Sequence, residues 1–360
     1  MKRISQHRDR ETSVVGVDTH KYILVAVVLS LLGERLGDIT VPADPGGYEQ
    51  LLRWARSLGE PARFGVEGCG SYGQGLVRFL RRNELIVLEA GRPDRRDRRN
   101  RGKSDPIDAE NAARAVLAGT STATPKTADG TSEMIREIKI ARDTAVKARS
   151  QAIITLKALV VTCPDELRHE LQPLSKAALR SRCAGLRPGA VTTPLAAAKH
   201  ALRALARRWE ALDVEIKSHE TLLDPLTAAA APGLRAAFGI GVDVAAEMLI
   251  LAGDNRERIH SEAAFAKLCG ACPIPASSGS TQRHRLNYGG HRQANSALYR
   301  SVIVRMRFHQ PTIDYVNRRT TEGKTKREII RCLKRYLARE IYRSLTTPAT
   351  TTTLLAPARK

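Results

Sequence analysis

Four acidic residues, Asp18, Glu67, Asp105 and Asp108, are placed so that they can hold divalent cations in a chain that otherwise carries an excess of positive charge. Two such ions about 4 Å apart activate an attacking oxygen and stabilise a leaving one in phosphodiester transfer, and hard oxygen ligands are needed to hold them. Carboxylates meet that demand, with magnesium as the expected ion and two ions as the expected count. Asp18 and Glu67 each close a β-branched run, while Asp105 and Asp108 stand three apart, a spacing that directs both from one face of a helical turn. Taken singly, each acid has an ordinary reading: Asp18 as a turn residue, and Asp105 and Asp108 as acids favoured by the dipole at a helix N-terminus. Only their joint placement points to a metal site.

The surrounding composition says what such a site would act on. Lys and Arg number 59 against 37 Asp and Glu, for a net charge of +22 and a sequence pI near 10.2. Polyanions are the partners this favours, because Lys and Arg that neutralise phosphates release condensed counterions. The longest apolar run, residues 22–32, is too short to cross a bilayer and is closed by Gly33-Glu34-Arg35, so it reads as a strand and no membrane partner is expected. No small-residue cleavage pattern follows the basic start, which leads us to expect a cytoplasmic, nucleoid-associated protein. The six cysteines are scattered through a long chain, which argues against a secreted disulfide framework. Cys269 and Cys272 have half the spacing of a zinc site, but no second Cys or His pair accompanies them, so buried thiols are expected.

These side chains need elements to carry them. Residues 13–18, 22–31 and 36–41 are three apolar runs broken by short turns, and they suggest a meander. A helical pattern at 48–57, a short strand ending at Glu67, a helix near 74–82, a strand at 85–89 and a helix at 109–117 follow. The order is that of a ribonuclease-H-like α/β fold, expected over residues 13–125 after a flexible stretch at 1–12. From Arg92 to Lys103 the chain carries seven basic and two acidic residues with no apolar rhythm, a loop whose Arg95, Arg96, Arg98, Arg99, Arg101 and Lys103 are candidates for phosphate contact.

Amphipathic patterns over 132–225 predict a helical, coiled-coil-like arm interrupted near Pro164 and between Pro173 and Pro194. A mainly helical domain is expected at 232–345 and a disordered tail at 346–360. At the start of that domain, Leu234 to Gly241 followed by an apolar helix resembles a helix-hairpin-helix, whose glycines would let backbone amides approach a phosphate; a plain helical corner is the alternative. No Asp or Glu occurs between Glu262 and Asp314, while Arg283, Arg285 and Arg292 fall within that span, together with Ser277, Ser278 and Ser280. Such a stretch can surround a nucleic-acid backbone.

Two sets of motifs, in two domains and in order, carry a resemblance. Gly16-Val17-Asp18-Thr19-His20-Lys21, Glu67 with Gly70-Ser71-Tyr72, and Lys103-Ser104-Asp105-Pro106-Ile107-Asp108-Ala109 form the first set. Pro273-Ile274-Pro275-Ala276-Ser277-Ser278-Gly279 leading to Gly289-Gly290-His291-Arg292-Gln293-Ala294-Asn295 forms the second. Over about residues 13–345 the chain resembles the insertion-sequence-110 family of transposases. The resemblance implies a RuvC-like domain with a DEDD tetrad at Asp18, Glu67, Asp105 and Asp108, a coiled-coil segment, and a domain supplying a serine nucleophile. The family's serine precedes a glycine, which selects Ser278, with Ser277 and Ser280 close by. It further implies donor and target DNA as substrates, a structured noncoding bridge RNA as guide, a phosphoserine link to DNA, and a homo-oligomer, dimer or tetramer, in which acid and serine domains complete one another. Without the resemblance the residues also fit a junction-resolving endonuclease with no covalent serine step, or a nonenzymatic nucleic-acid-binding protein on the same scaffold.

Overall fold

The computed structural model describes residues 12–91, 104–280 and 284–346. These fall in two compact units. One runs to Gly130 and includes Ala252–His260; the other comprises Thr131–Leu251 and the described residues from Ser261 onward.

In the first unit, β1 (Thr12–Thr19), β2 (Ile23–Ser30) and β3 (Arg35–Pro42) form an antiparallel meander. They are followed by α1 (Pro45–Leu58), β4 (Glu60–Val66), α2 (Gln74–Arg82), β5 (Val87–Glu89) and α3 (Asp105–Leu117). The sheet has the order β3-β2-β1-β4-β5, with β4 parallel to β1 and β5 parallel to β4. This is the mixed sheet that the element order predicts. Two boundaries differ from the sequence expectation. The strand expected from Leu85 begins at Val87, because Glu84 takes a left-handed conformation (φ 59°) and the Leu85 amide still bonds the Leu80 carbonyl of α2. The helix expected from Ala109 begins at Asp105, where extended Ser104 precedes it and Pro106 fits a first turn that needs no amide there.

Both faces of the sheet are covered, which explains why β1 and β2 read as near-continuous apolar runs. Val15, Val17, Leu24, Ala26, Phe64 and Val66 pack with Leu51, Leu52, Leu76 and Leu80 of α1 and α2. On the other face, Val14, Val25, Val27 and Leu29 pack with Ala109, Ala113 and Val116 of α3. Asn255 ties the returning segment to this unit, donating to the Pro125 carbonyl (2.9 Å) and accepting from the Thr127 amide (3.2 Å).

The second unit is helical apart from one two-stranded ribbon. Its helices are α4 (Thr131–Thr162), α5 (Asp165–Leu171), α6 (Lys176–Ala184), α7 (Pro194–Ala230), α8 (Pro232–Ala236), α9 (Val242–Ala252), α10 (Glu262–Leu268), α11 (Arg292–Phe308), α12 (Gln310–Thr321) and α13 (Lys326–Thr346). Helices α4 and α7 run antiparallel: Arg142 pairs with Glu220 (2.7 Å), and Arg149, one helical stretch later, pairs with Asp213, earlier in α7. Between them Ile153, Leu156, Val160, Leu202 and Ala206 are buried, and Leu167, Leu171 and Leu179 of the two short helices complete that core where the prolines interrupt the long ones. The glycine corner at 239–241 packs against α11, where Arg305 donates to the Phe238 carbonyl (2.9 Å) and the Gly239 Cα faces the Ser301 carbonyl.

Candidate active site

The carboxylates are brought together by two glycines. Gly16 of β1 and Gly65 of β4 are partners across the parallel ladder. A Cβ on Gly16 would lie 2.0 Å from the Ala109 carbonyl oxygen and 2.4 Å from the Ala113 nitrogen, and one on Gly65 would lie 2.7 Å from the Ala112 carbonyl oxygen. Helix α3 therefore rests its backbone directly on the sheet, with Ala109, Ala112, Ala113 and the edge of Val116 facing the glycines. That contact brings the first turn of α3, with Asp105 and Asp108, to the end of β1 that carries Asp18.

There the Asp18 side chain lies 3.2 Å from His20 Nε2, and Asp105 lies 3.4 Å from the same nitrogen. The ligand atoms of Asp18, His20 and Asp105 are all within 4.8 Å of one another, the only such His/Cys/Asp/Glu group among the described residues. Asp18 and Asp108 are buried, and Asp105 is half-buried. Burial raises the Asp18 carboxyl above its ordinary value; His20 opposes this, and the neighbouring Asp108 and Asp105 carboxylates reinforce it. Carboxylates held within reach of one another against their own repulsion are the donor set that a hard divalent cation requires, so the residues fit the metal.

Glu67 follows β4 directly, next to Asp18 on the neighbouring strand. Its amide bonds the Val17 carbonyl (3.0 Å) and its carbonyl accepts from Thr19 Oγ1 (2.9 Å), which fixes the two strand ends side by side. The alternation of β4 puts Glu67 on the face of Gly65, the face covered by α3. Its carboxylate is outside the close group formed by Asp18, His20 and Asp105.

His20 has no assigned role in the sequence reading, although it stands in the motif. Its signal is the spacing from Asp18: two residues apart at a strand end, the two share a face. Cys69, behind this end of the sheet, donates to the Val66 carbonyl (3.1 Å), and burial pushes its thiol up to about 12. It is an inert core thiol.

In the second unit, β6 (Ile274–Pro275) and β7 (His284–Arg285) pair antiparallel, so Ser277, Ser278 and Ser280 lie in the loop of a hairpin. All three are exposed, and Gly279 takes φ +54° beside Ser278. The base of the hairpin is held by a second glycine contact: a Cβ on Gly290 would lie 2.2 Å from the Gly270 nitrogen, and the His291 amide bonds the Leu268 carbonyl (2.7 Å). Asn295 secures the same corner, donating to the Cys269 and Gly270 carbonyls (both 2.9 Å). Cys269 is buried with its thiol pushed up to about 12, and Cys272 accepts a contact from Asn287, so neither joins a metal group. Arg285 on β7 and Arg292 at the start of α11 are exposed. Arg283, and Arg95, Arg96, Arg98, Arg99, Arg101 and Lys103 of the basic loop, lie outside the described residues.

Residues 15–163 match the IS110-type DEDD transposase family, and residues 232–317 match the transposase IS116/IS110/IS902 family. The chain belongs to the IS110 family of transposases. No curated protein matches it. The two matched segments cover the acidic site with the first arm helix, and the serine hairpin with α11. The chain is thus an enzyme that acts on DNA, from a family whose acidic tetrad implies dependence on divalent metal. No described helix is long and apolar enough to cross a membrane.

Proposed function

We propose that this transposase joins donor and target DNA by serine attack on phosphodiesters, assisted by magnesium and guided by a structured RNA of its own element. The observation that supports this best is the convergence of Asp18 and Asp105 beside Asp108 and Glu67, in a chain that also presents exposed Ser278 within a stretch free of carboxylates. In this reading Asp18, Glu67, Asp105 and Asp108 hold the metal. When bound, divalent cations would neutralise phosphate charge and polarise its oxygens.

The chain's own residues do the rest. Ser278 Oγ forms a bond to phosphorus as the bond from phosphorus to one deoxyribose oxygen breaks; the serine proton passes to solvent at this exposed position, and the departing oxygen takes one up. The number of phosphoester bonds is conserved, so attack by a deoxyribose hydroxyl of another strand releases the serine and joins the DNA without an outside energy source. Arg283, Arg285 and Arg292, with the basic residues of 95–103, neutralise strand phosphates. Base pairing with the guide RNA delegates sequence choice to the RNA.

A homo-oligomer, dimer or tetramer, is part of the proposal, with acid domain 13–125, arm 132–225 and serine domain 232–345 shared between protomers. Its support is the row of exposed apolar residues on the arm: Ile140, Ile154 and Val161 of α4, and Val214 and Leu222 of α7.

The test combines purified protein, magnesium, element RNA and both DNA substrates on a denaturing gel. A protein-DNA adduct is expected in the wild type and is expected to vanish in Ser278→Ala and in Asp18→Ala. Clean cleavage with no adduct would replace the serine step by metal-dependent hydrolysis, and recombination that proceeds without RNA would remove the guide.

A further inference from the structure

The second unit contains a cavity of about 610 Å³ that the reading above leaves unused. One wall is the serine hairpin, through His284 and Arg285 of β7; the facing wall is α13 with the end of α12. Among the described residues six cations line it, Arg285, Arg319, Lys324, Arg331, Lys334 and Arg335, against one carboxylate, Glu328. That carboxylate is already engaged as a helix cap, accepting from the Thr325 amide (2.9 Å) and hydroxyl (2.8 Å). The periodicity of α13 creates the wall: Ile329, Leu333, Leu337 and Ile341 are buried in the core, which turns Arg331, Lys334 and Arg335 to another side.

Several of these donors lack a sufficient acceptor. Lys334 Nζ donates to the neutral Asn295 Oδ1 (2.8 Å), and burial, then the charge of Arg331, pull its ammonium below the ordinary lysine value. Arg335 Nη1 and Arg319 Nε are enclosed and have no hydrogen-bond partner among the described residues, although Arg319 pairs through Nη1 with Glu322 and Arg335 lies 3.7 Å from Glu262 through Nη2. An anion with several oxygens in this cavity would bring acceptors to Lys334 and to the arginines that line it beside Lys334. At the lip stands Tyr336, 51% exposed and braced edge-on by Tyr315 at 5.7 Å, a flat face suited to a nucleobase.

We propose that this cavity seats a phosphodiester of the DNA strand on which Ser278 acts, with the phosphate on Lys334, Arg331 and Arg335 and the adjoining base on Tyr336. The choice of DNA rests on the serine reading above: Arg285 belongs both to the cavity and to the strand that supports the Ser278 loop, so a strand held in the cavity lies along the hairpin that attacks it. The phosphate site itself rests on the lining alone.

Two native thiols report on it. Cys272 and Cys332 line the cavity and are partly accessible, whereas Cys69, Cys163, Cys183 and Cys269 are buried. Full-length Ser278→Ala protein is labelled with a maleimide, alone and with short single-stranded DNA, single-stranded RNA or inorganic phosphate. With DNA at about ten times its Kd, labelling of Cys272 and Cys332 is expected to slow about tenfold. The further double change Lys334→Gln, Arg331→Gln is expected to abolish that protection, weaken DNA binding about tenfold and lower the salt slope of binding by about one to two, with the melting temperature unchanged. A Tyr336→Leu variant, which leaves the cations in place, is expected to keep the salt slope while losing affinity.

Unprotected thiols in the presence of bound DNA would overturn the proposal. Protection by RNA but not DNA would overturn it in favour of a guide-RNA contact, and equal protection by inorganic phosphate would reduce the site to a free-anion pocket. The serine mechanism fails separately. Protection without a covalent adduct in the wild type sinks the serine step and leaves the cavity, while an adduct without protection does the reverse.

Discussion

Asp18 sits on a strand with a hydrogen-bonded neighbour on each side and a helix seated on its face, whereas Ser278 is exposed, in a hairpin whose paired strands span two residues each among the described residues. Both places depend on a glycine pair, Gly16 with Gly65 in one and Gly270 with Gly290 in the other, where the backbone of one segment touches the backbone of the next. What the pairs support differs. In the acidic site they press like charges toward one another, work that only a packed core can sustain. In the hairpin they anchor the base of a loop whose described serines, Ser277, Ser278 and Ser280, are exposed, a setting that suits the nucleophile proposed above.

The largest effect that separates the two regions is expected from Gly16→Val. Even the first added carbon would meet the Ala109 and Ala113 backbone, and backbone has no rotamer with which to yield, so α3 must lift off the sheet. Stability measured by urea denaturation is expected to fall by about 3 kcal/mol, and metal-dependent DNA cleavage is expected to disappear. Ser278→Ala, by contrast, is expected to leave stability within about 0.5 kcal/mol of wild type, since the side chain is exposed. Equal stability losses in the two variants would show that the hairpin is as embedded as the sheet.

Asp18→Asn is expected to sharpen the comparison because stability and activity should move in opposite directions. The Asp18 carboxyl is raised by burial and by its acidic neighbours from an ordinary value of 3.8. Its contribution to metal-free stability is therefore fully present below pH 3.8 and is lost as the pH rises through the higher folded value. The asparagine mimics the protonated form at every pH. In chelator the variant is expected to be at least as stable as wild type at neutral pH, and the difference between the two is expected to shrink as the pH falls toward 4. Strand cleavage is expected to drop roughly 10³-fold, the rate equivalent of about 4 kcal/mol of lost metal assistance. A variant that loses stability at neutral pH in chelator would mean that the carboxylates are not in conflict.

The same contrast governs what could be read from the sequence. The meander and the order of elements were legible because each rests on local pattern, alternation and β-branched runs; the four acids were nominated in the same way, and of them the structure brings Asp18 and Asp105 into one close group with His20. The way they meet was less visible, since Gly16 and Gly65 lie far apart in the chain and neither glycine alone signals a helix resting on both. The cation wall of α13 escaped for a related reason. Arg331, Lys334 and Arg335 look like an ordinary solvated helix face until the hairpin encloses them, and their enclosure is a long-range fact. Ser278 was singled out through the family motif alone, and its role as nucleophile belongs to the proposal, because nothing in a run of small loop residues distinguishes a nucleophile from a turn former.

His20→Ala probes whether the imidazole belongs to the metal site or merely fills it. Its Nε2 stands beside the Asp18 and Asp105 carboxylates (3.2 and 3.4 Å) without a hydrogen bond to either, so its single N–H can orient one of them at a time. Divalent-ion affinity, followed by the rise in melting temperature with added magnesium or manganese, is expected to weaken about tenfold, the lower end for a group that orients carboxylate ligands. Unchanged affinity would leave the carboxylates positioned by the glycine-seated helix alone.

The smallest expected effect is that of Thr19→Val, and it tests the strand side of the acidic site without touching a carboxylate. Thr19 is nearly isosteric with valine and buried, and its hydroxyl donates to the Glu67 carbonyl across the strand ends. Loss of that bond is expected to cost about 1 kcal/mol in urea denaturation. Because the Glu67 amide still bonds Val17, Glu67 should keep its place, and divalent affinity should fall by less than in His20→Ala. If Thr19→Val weakens metal binding more than His20→Ala, the threonine rather than the ladder sets the position of Glu67, and the acidic site is less firmly held by its core than the contrast with the serine hairpin implies.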